Sequence, residues 1–342
     1  MYRTDRKESN GRLAQTVTQN NEFEVNSMKI DRLLREYGIY AVLIILMAFF
    51  TVTANSFLTV KNLLLVARQV SMVTIASVGM MMVLLTGGID LSIGSLVSLV
   101  NIVAAHMMVY EGWHPLIACI ICLCMSVICG IVQGLLITKV KIAPFISSLG
   151  LMKIMSGFAF IISKALPISG FPAGFKMLGQ GMIGAVPVAV FIMAGALVVG
   201  FILLEKVYFG RYFYAIGSNI DAAKLSGINT DATVILAYVM SAVFACIAGF
   251  VMLSRLNVGL PNNGDSFEFD VITAAVLGGV STAGGSGKLS GVIAGAFIVG
   301  IVKNGLVLLG VNDYVQTVIL GVVLLLAVCF DCIQKNRADT KK

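Results

Sequence analysis

The residues able to do chemistry are few, and most sit where long apolar segments break. Asp90 lies in Thr86-Gly87-Gly88-Ile89-Asp90-Leu91-Ser92-Ile93-Gly94-Ser95. Glu268 and Asp270 open Phe267-Glu268-Phe269-Asp270, and that segment runs into Gly284-Gly285-Ser286-Gly287-Lys288. An acid at membrane depth is costly and is a functional candidate by default. Asp90 has two readings. Gly87 and Gly88 can end one helix, and Asp90 or Ser92 can take the first free amides of the next. Alternatively, Asp90 lines a translocation path or gate. Hydrolytic and metal chemistry have no such footing. His-Glu-x-x-His and Gly-x-Ser-x-Gly are both lacking. Cys119, Cys122 and Cys124 have a spacing that suggests a metal, but they lie in an apolar run with no His or acidic partner. Gly285-Ser286-Gly287-Lys288 is not a phosphate loop, because Leu289 follows the lysine and no strand precedes it. No metal, cofactor or catalytic cluster is expected.

The elements that must position these residues are membrane helices. Of 342 residues, 58% are hydrophobic and only 12% charged, about half the charge of a soluble domain. A spanning helix needs about 20 mostly apolar residues. Ten such runs can be drawn, at 38–55, 69–86, 91–109, 115–138, 143–163, 183–204, 232–254, 268–284, 289–309 and 314–332. The eighth is short, starts with two acids and ends in glycines, so it is expected to be broken or re-entrant. The fold class expected is an all-α integral membrane protein of about ten transmembrane helices, with both termini cytoplasmic.

Charge placement sets the orientation. The formal net charge is +7. Arg3, Arg6, Lys7, Arg12, Lys29, Arg32 and Arg35 precede the first span, and Lys335, Arg337, Lys341 and Lys342 follow the last. Lys139, Lys141, Lys206, Arg211, Lys224 and Lys288 fall in loops on the same side. Only Lys61, Arg68, Lys164, Lys176 and Arg255 fall opposite. This asymmetry marks the basic side as cytoplasmic. Lys303, inside the ninth span, is expected to snorkel to the outer interface. Positive charge confined to tails and loops argues against nucleic-acid binding. Residues 1–37 are expected to be a polar, basic cytoplasmic tail without a cleavable signal, residues 38–332 the membrane domain, and residues 333–342 a second basic tail.

Three further features stand out. Gly94, Ser98, Asn101 and Ala105 form a small, polar stripe on the third span, suiting either close packing or the wall of a path. Gly291 and Gly295 form a Gly-x-x-x-Gly helix contact. The long inner loop, 205–231, is too charged for hydrocarbon. Within it Asn219 is an N-cap, Asp221 sits in the first turn, and Lys224 and Gly227 suit a helix end, so a short helix is expected there. Such a helix can dock a partner.

Taken together, LTGGIDLSIGS at 85–95, KIAPFISSLG at 141–150, FGRYFYAIGSNIDAAKLSGI at 209–228, FEFDVITAAVLGGVSTAGGSG at 267–287 and NGLVLLGV at 304–311 resemble the ribose/galactoside-type permeases of ATP-binding-cassette importers. The resemblance covers about residues 38–332. It implies a permease of the bacterial cytoplasmic membrane that works as a pair. A cytoplasmic ATPase dimer would hydrolyse ATP, and an extracytoplasmic solute-binding protein would deliver a monosaccharide. It further implies that the helix around Asn219–Gly227 couples to the ATPase, with Ala222, Ala223 and Gly227 matching the docking motif. A permease for nucleosides or another small polar solute is the nearest alternative. An ion-coupled secondary transporter, with Asp90 as the coupling acid, is the rival from another class.

Overall fold

The computed structural model describes residues 38–339; the expected tail at 1–37 and residues 340–342 lie outside them. The chain divides after Ile45 into two units, and of the first only the opening turns of helix α1 (Gly38–Thr53) are described. The remaining elements belong to the second unit. They are α2 (Val60–Leu85), α3 (Ile93–Val109), α4 (Pro115–Thr138), α5 (Pro144–Ser163), β1 (Ile168–Ser169), α6 (Ala173–Gln180), β2 (Met182–Ile183), β3 (Val186–Pro187), α7 (Val188–Phe201), α8 (Tyr208–Ser218), α9 (Ile220–Leu225), α10 (Thr230–Leu256), β4 (Val258–Gly259), α11 (Phe267–Leu277), α12 (Leu289–Leu308) and α13 (Asp313–Asp339). The last turn of α7 widens into a π-helical turn at Ile202–Lys206.

Seven helices are long and apolar enough to cross a membrane, and α1 and α3 are shorter apolar helices. With two two-stranded ribbons as the only sheet among the described residues, this is an all-α membrane protein. Each of the ten apolar runs contains a helix, and the departures from the expected limits have local causes. Helix α2 starts at Val60 rather than 69, because Thr59 caps it and its polar first turns find partners: the Asn62 carboxamide pairs with that of Asn304, and Arg68 donates to the Gln180 carbonyl. Helix α11 stops at Leu277 rather than 284. Gly279 there adopts φ +80°, a left-handed conformation that a glycine reaches without strain. Helix α7 starts at Val188, because Met182–Pro187 forms the β2–β3 hairpin.

Helix α2 is buried on every side from Val70 to Leu85, and α10 packs on it, on α3 and on α4. These helices touch backbone to backbone. A methyl group added at Gly130 or Gly134 would meet the α10 backbone at 2.7 Å. The Gly291–Gly295 face of α12 lies against Gly278 and Ala274 of α11 in the same way, so that pair is a helix contact. Lys303 ion-pairs with Asp270 across α12 and α11.

The bundle is tied at both ends. At one end the Thr86–Gly88 turn, Gly217 and Ser218 of α8, and the Gly284–Gly285 turn meet. Lys139 pairs there with Asp231 at 2.7 Å. At the other end Asn62 meets Asn304, β1 pairs antiparallel with β4, and Gly264 donates its amide to Ser98.

Candidate translocation and coupling site

Asp90 is held in place by its surroundings. Thr86 ends α2, Gly87 turns at φ +80°, and the amides of Gly87 and Gly88 return to the Leu84 and Val83 carbonyls. This is the Schellman pattern that two glycines suit. The turn delivers Asp90, 2% exposed, between α4 and α10. Its Oδ1 accepts from the Ser92 amide at 3.0 Å, the Ser92 hydroxyl at 2.6 Å and Gln133 Nε2 at 3.0 Å. Its Oδ2 accepts from the Ser241 hydroxyl at 2.9 Å. Ser92 does not cap α3; its hydroxyl points back to Asp90, and Ser95 donates to the Ser92 carbonyl. One acid thus ties the break between α2 and α3 to two other helices, and the geometry is that of a structural hub. The Tyr238 hydroxyl of α10 is buried beside Gly88 and has no hydrogen-bond partner among the described residues.

The small stripe on α3 is covered by the chain itself. Gly94 lies against Glu268 and Gly264, Ser98 accepts from Gly264 at 2.9 Å, and Gly259 rests on Ala105. Asn101 is fully buried, and its amide group, correctly oriented, donates to the Gly249 carbonyl of α10 at 2.7 Å. The face packs closely against α10, α11 and the segment between them. Glu268 and Asp270 are both buried, but on different surroundings: Glu268 faces α3, and Asp270 faces Lys303.

The segment expected to couple begins with α8. A methyl group on Gly217 would collide with the Leu85 carbonyl and the Gly285 amide, so α8 lies directly on both turns. The Gly285 amide donates to the Leu85 carbonyl at 3.0 Å, and the Tyr214 hydroxyl donates to the Gly287 carbonyl at 2.9 Å. Burial, and then the Glu205 carboxylate, push the Tyr214 phenol above its usual range, so it stays a donor at neutral pH. Asn219 then caps α9, accepting from the Asp221 and Ala222 amides at 3.0 and 2.9 Å. Gly227 ends the helix at φ +81°. Asp221, Ala222, Lys224 and Gly227 are exposed, as the docking expectation requires. Ala223 is not; at 4% exposure it seats α9 on the bundle.

Sequence reasoning missed the partners of these groups. Leu225, 91% exposed at the tip of α9, is the largest apolar surface on that helix. Gln133 and Ser241 are polar residues inside apolar runs, and that was the available signal. Asp331 of α13 accepts from the Thr282 amide and hydroxyl at 3.1 and 3.0 Å, binding the last span to the glycine turn. A cavity of about 660 Å³ lies where α2, α11, α12 and α13 meet around Asp270 and Lys303.

The structure is thus an all-helical membrane bundle whose internal breaks are covered by α8, with the short exposed helix α9 beside it. The family model described as branched-chain amino acid transport system permease component matches residues 62–328, and the chain belongs to that family. It is 38% identical to the ribose import permease protein RbsC of Bacillus subtilis over 316 residues, 92% of this chain and 98% of that protein. It is 37% identical to the RbsC of Escherichia coli K12 over 84% of this chain and 91% of that protein. It is 34% identical to the galactose/methyl galactoside import permease protein MglC of the same strain, over 89% of this chain and 96% of that protein. No solved structure matches.

Proposed function

We propose that this chain is the membrane-spanning subunit of an ATP-binding-cassette importer for a monosaccharide of the ribose or galactoside kind. The family description names amino acids, whereas the relatives matched over nearly their whole length are named for sugars. The relatives weigh more, because they match more of this chain, 92% and 89%, than the family model, which matches residues 62–328. The chain forms ten membrane segments, α11 being a half-helix, with both termini on the cytoplasmic side of the inner membrane. Residues 38–332 are the transport domain. It pairs with a second permease copy, receives solute from an extracytoplasmic binding protein, and leaves ATP hydrolysis to a cytoplasmic ATPase dimer.

The observation that carries this reading is the seating of α8 on both glycine turns, with the exposed helix α9 following directly on α8. A displacement of α9 reaches the end of α2 and the Gly284–Gly285 turn through α8, because Gly217 of α8 touches Leu85 and Gly285 without intervening side chains. ATPase states that bind α9 differently therefore bias the packing of the bundle. Asp221, Ala222, Lys224 and Leu225 form the docking face, Asn219 and Gly227 shape the helix, and Ala223 anchors it. Asp90, with Ser92, fixes the break at which the path opens or closes. Gly94, Ser98, Asn101, Glu268 and Asp270 hold the facing wall.

The test is sugar uptake into proteoliposomes holding the permease and its ATPase. Uptake is expected to require ATP, and Leu225→Asp is expected to abolish assembly with the ATPase while the permease still folds. Uptake driven by a proton or sodium gradient alone would refute the importer. Unchanged assembly would refute the docking face.

A further inference from the structure

The region around Asp270 and Lys303 has properties that packing alone does not require. It is an open cleft of about 660 Å³, within the usual range for small-molecule sites of about 300–1,000 Å³. An ion pair lines it, with Asp270 and Lys303 side chains 11% and 27% exposed, and ionisable residues within membrane-spanning bundles mark solute pathways. Because the two charges neutralise one another, the pair offers hydrogen bonds without a net charge. Gln69 of α2 also lines the cleft, and its carboxamide makes no hydrogen bond among the described residues. The Thr273 and Thr317 hydroxyls each donate a hydrogen bond to a main-chain carbonyl one turn back, which leaves their oxygens as acceptors. Phe269, 48% exposed, supplies an aromatic face. Its negative quadrupole suits C–H groups.

Val307, Leu320, Leu324 and Leu325 make the rest of the lining largely apolar, and the Asp313 carboxylate at its exposed rim accepts from Gln316. Apolar walls, a ring and these hydrogen-bonding groups together match a molecule with hydroxyls on its edge and C–H groups on its face. It lacks the uncompensated cation that a carboxylate or phosphate would need. We propose that the cleft between α2, α11, α12 and α13 is a transit subsite for a neutral polyhydroxy solute, with Gln69, Lys303, Asp270 and the Phe269 ring as its contacts. The proposal rests on the importer reading and adds where the membrane subunit itself touches its cargo.

Two measurements test it. Asp270 and Lys303 are unsuitable for substitution, because removing one strands the other charge. Gln69→Leu and Thr317→Val keep the volume, and size-exclusion profiles check folding. Each is expected to lower ATP-driven uptake of radiolabelled D-ribose or D-galactose about fivefold, the loss of one neutral hydrogen bond, with ATP hydrolysis unchanged. Uptake equal to the parent's in both variants overturns the subsite. In the second measurement Gln69→Cys is labelled with a small methanethiosulfonate in the assembled importer, with the unsubstituted protein as blank. Protection by D-ribose or D-galactose at high millimolar concentration, but not by L-leucine, is the expected result. Protection by L-leucine instead overturns the polyhydroxy class. No labelling at all means the second permease copy fills the cleft, and it also overturns the proposal. A parent that takes up no sugar with ATP overturns the importer reading, and the thiol measurement still judges the cleft independently.

Discussion

Replacing Asp90 separates its two readings, as a hub of the fold and as a group that meets the solute. Asp90→Ala removes the acceptor for four donors, all on residues exposed by no more than 3%. The bonds from Gln133 and Ser241 join helices, and in membrane proteins such bonds contribute about 0.6 kcal/mol each and at most about 1.7. Stranding the buried Ser92 amide costs about 1–3 kcal/mol more. The expected loss is therefore about 2–6 kcal/mol, a large share of a stability of about 5–15 kcal/mol. Asp90→Asn should cost only about 1 kcal/mol, because its oxygen can keep the Oδ1 contacts and the Ser241 hydroxyl can rotate to accept. The assay is equilibrium unfolding of the purified permease in mixed micelles, with Gln133→Leu completing a double-mutant cycle. The coupling between Asp90 and Gln133 should be about 0.5–1.7 kcal/mol. If Asp90→Ala and Asp90→Asn both unfold like the parent yet transport nothing, the hub is wrong, and the carboxylate acts on the solute.

Three other outcomes follow from the same structure. Gly217→Ala should uncouple ATP hydrolysis from uptake, since its methyl group forces α8 off the Leu85 and Gly285 backbones; retained coupling, read as sugar moved per ATP hydrolysed, would show that the contact transmits nothing. Tyr238→Phe should be neutral or slightly stabilising in the same unfolding assay, because the hydroxyl it removes is buried without a partner. Lys139→Met should shift stability by less than about 1 kcal/mol, as its pair with Asp231 is solvent-exposed.

The helices were legible because hydrocarbon demands long apolar runs, and those runs are visible without contacts. The breaks at Gly87 and Gly279, the cap at Asn219 and the shortness of α11 were legible for the same local reason. What lay hidden was pairing across the sequence. Lys303 looked like an interfacial lysine until Asp270 was placed beside it, and Asn62 and Arg68 pulled the expected start of α2 too late because their partners, Asn304 and Gln180, are far along the chain. Ala223 matched a docking motif, yet its direction depends on how α9 seats, which no six-residue pattern specifies. Helix α6 escaped notice because an eight-residue helix between Pro172 and Gly181 has too few turns for a period to emerge.

The Asn62–Asn304 pair bears on how the chain is made. The two carboxamides exchange hydrogen bonds at 2.9 and 2.8 Å across 242 positions. During synthesis α2 enters the bilayer long before α12 exists. Until then Asn62 has only the nearby Phe57 carbonyl to satisfy it, and an amide with spare donors in lipid is costly. That end of the bundle therefore stays unsealed through most of translation, and the arrival of α12 closes it. Nascent chains halted before residue 304 should expose the first turns of α2 to quality-control proteases, and completed chains should not.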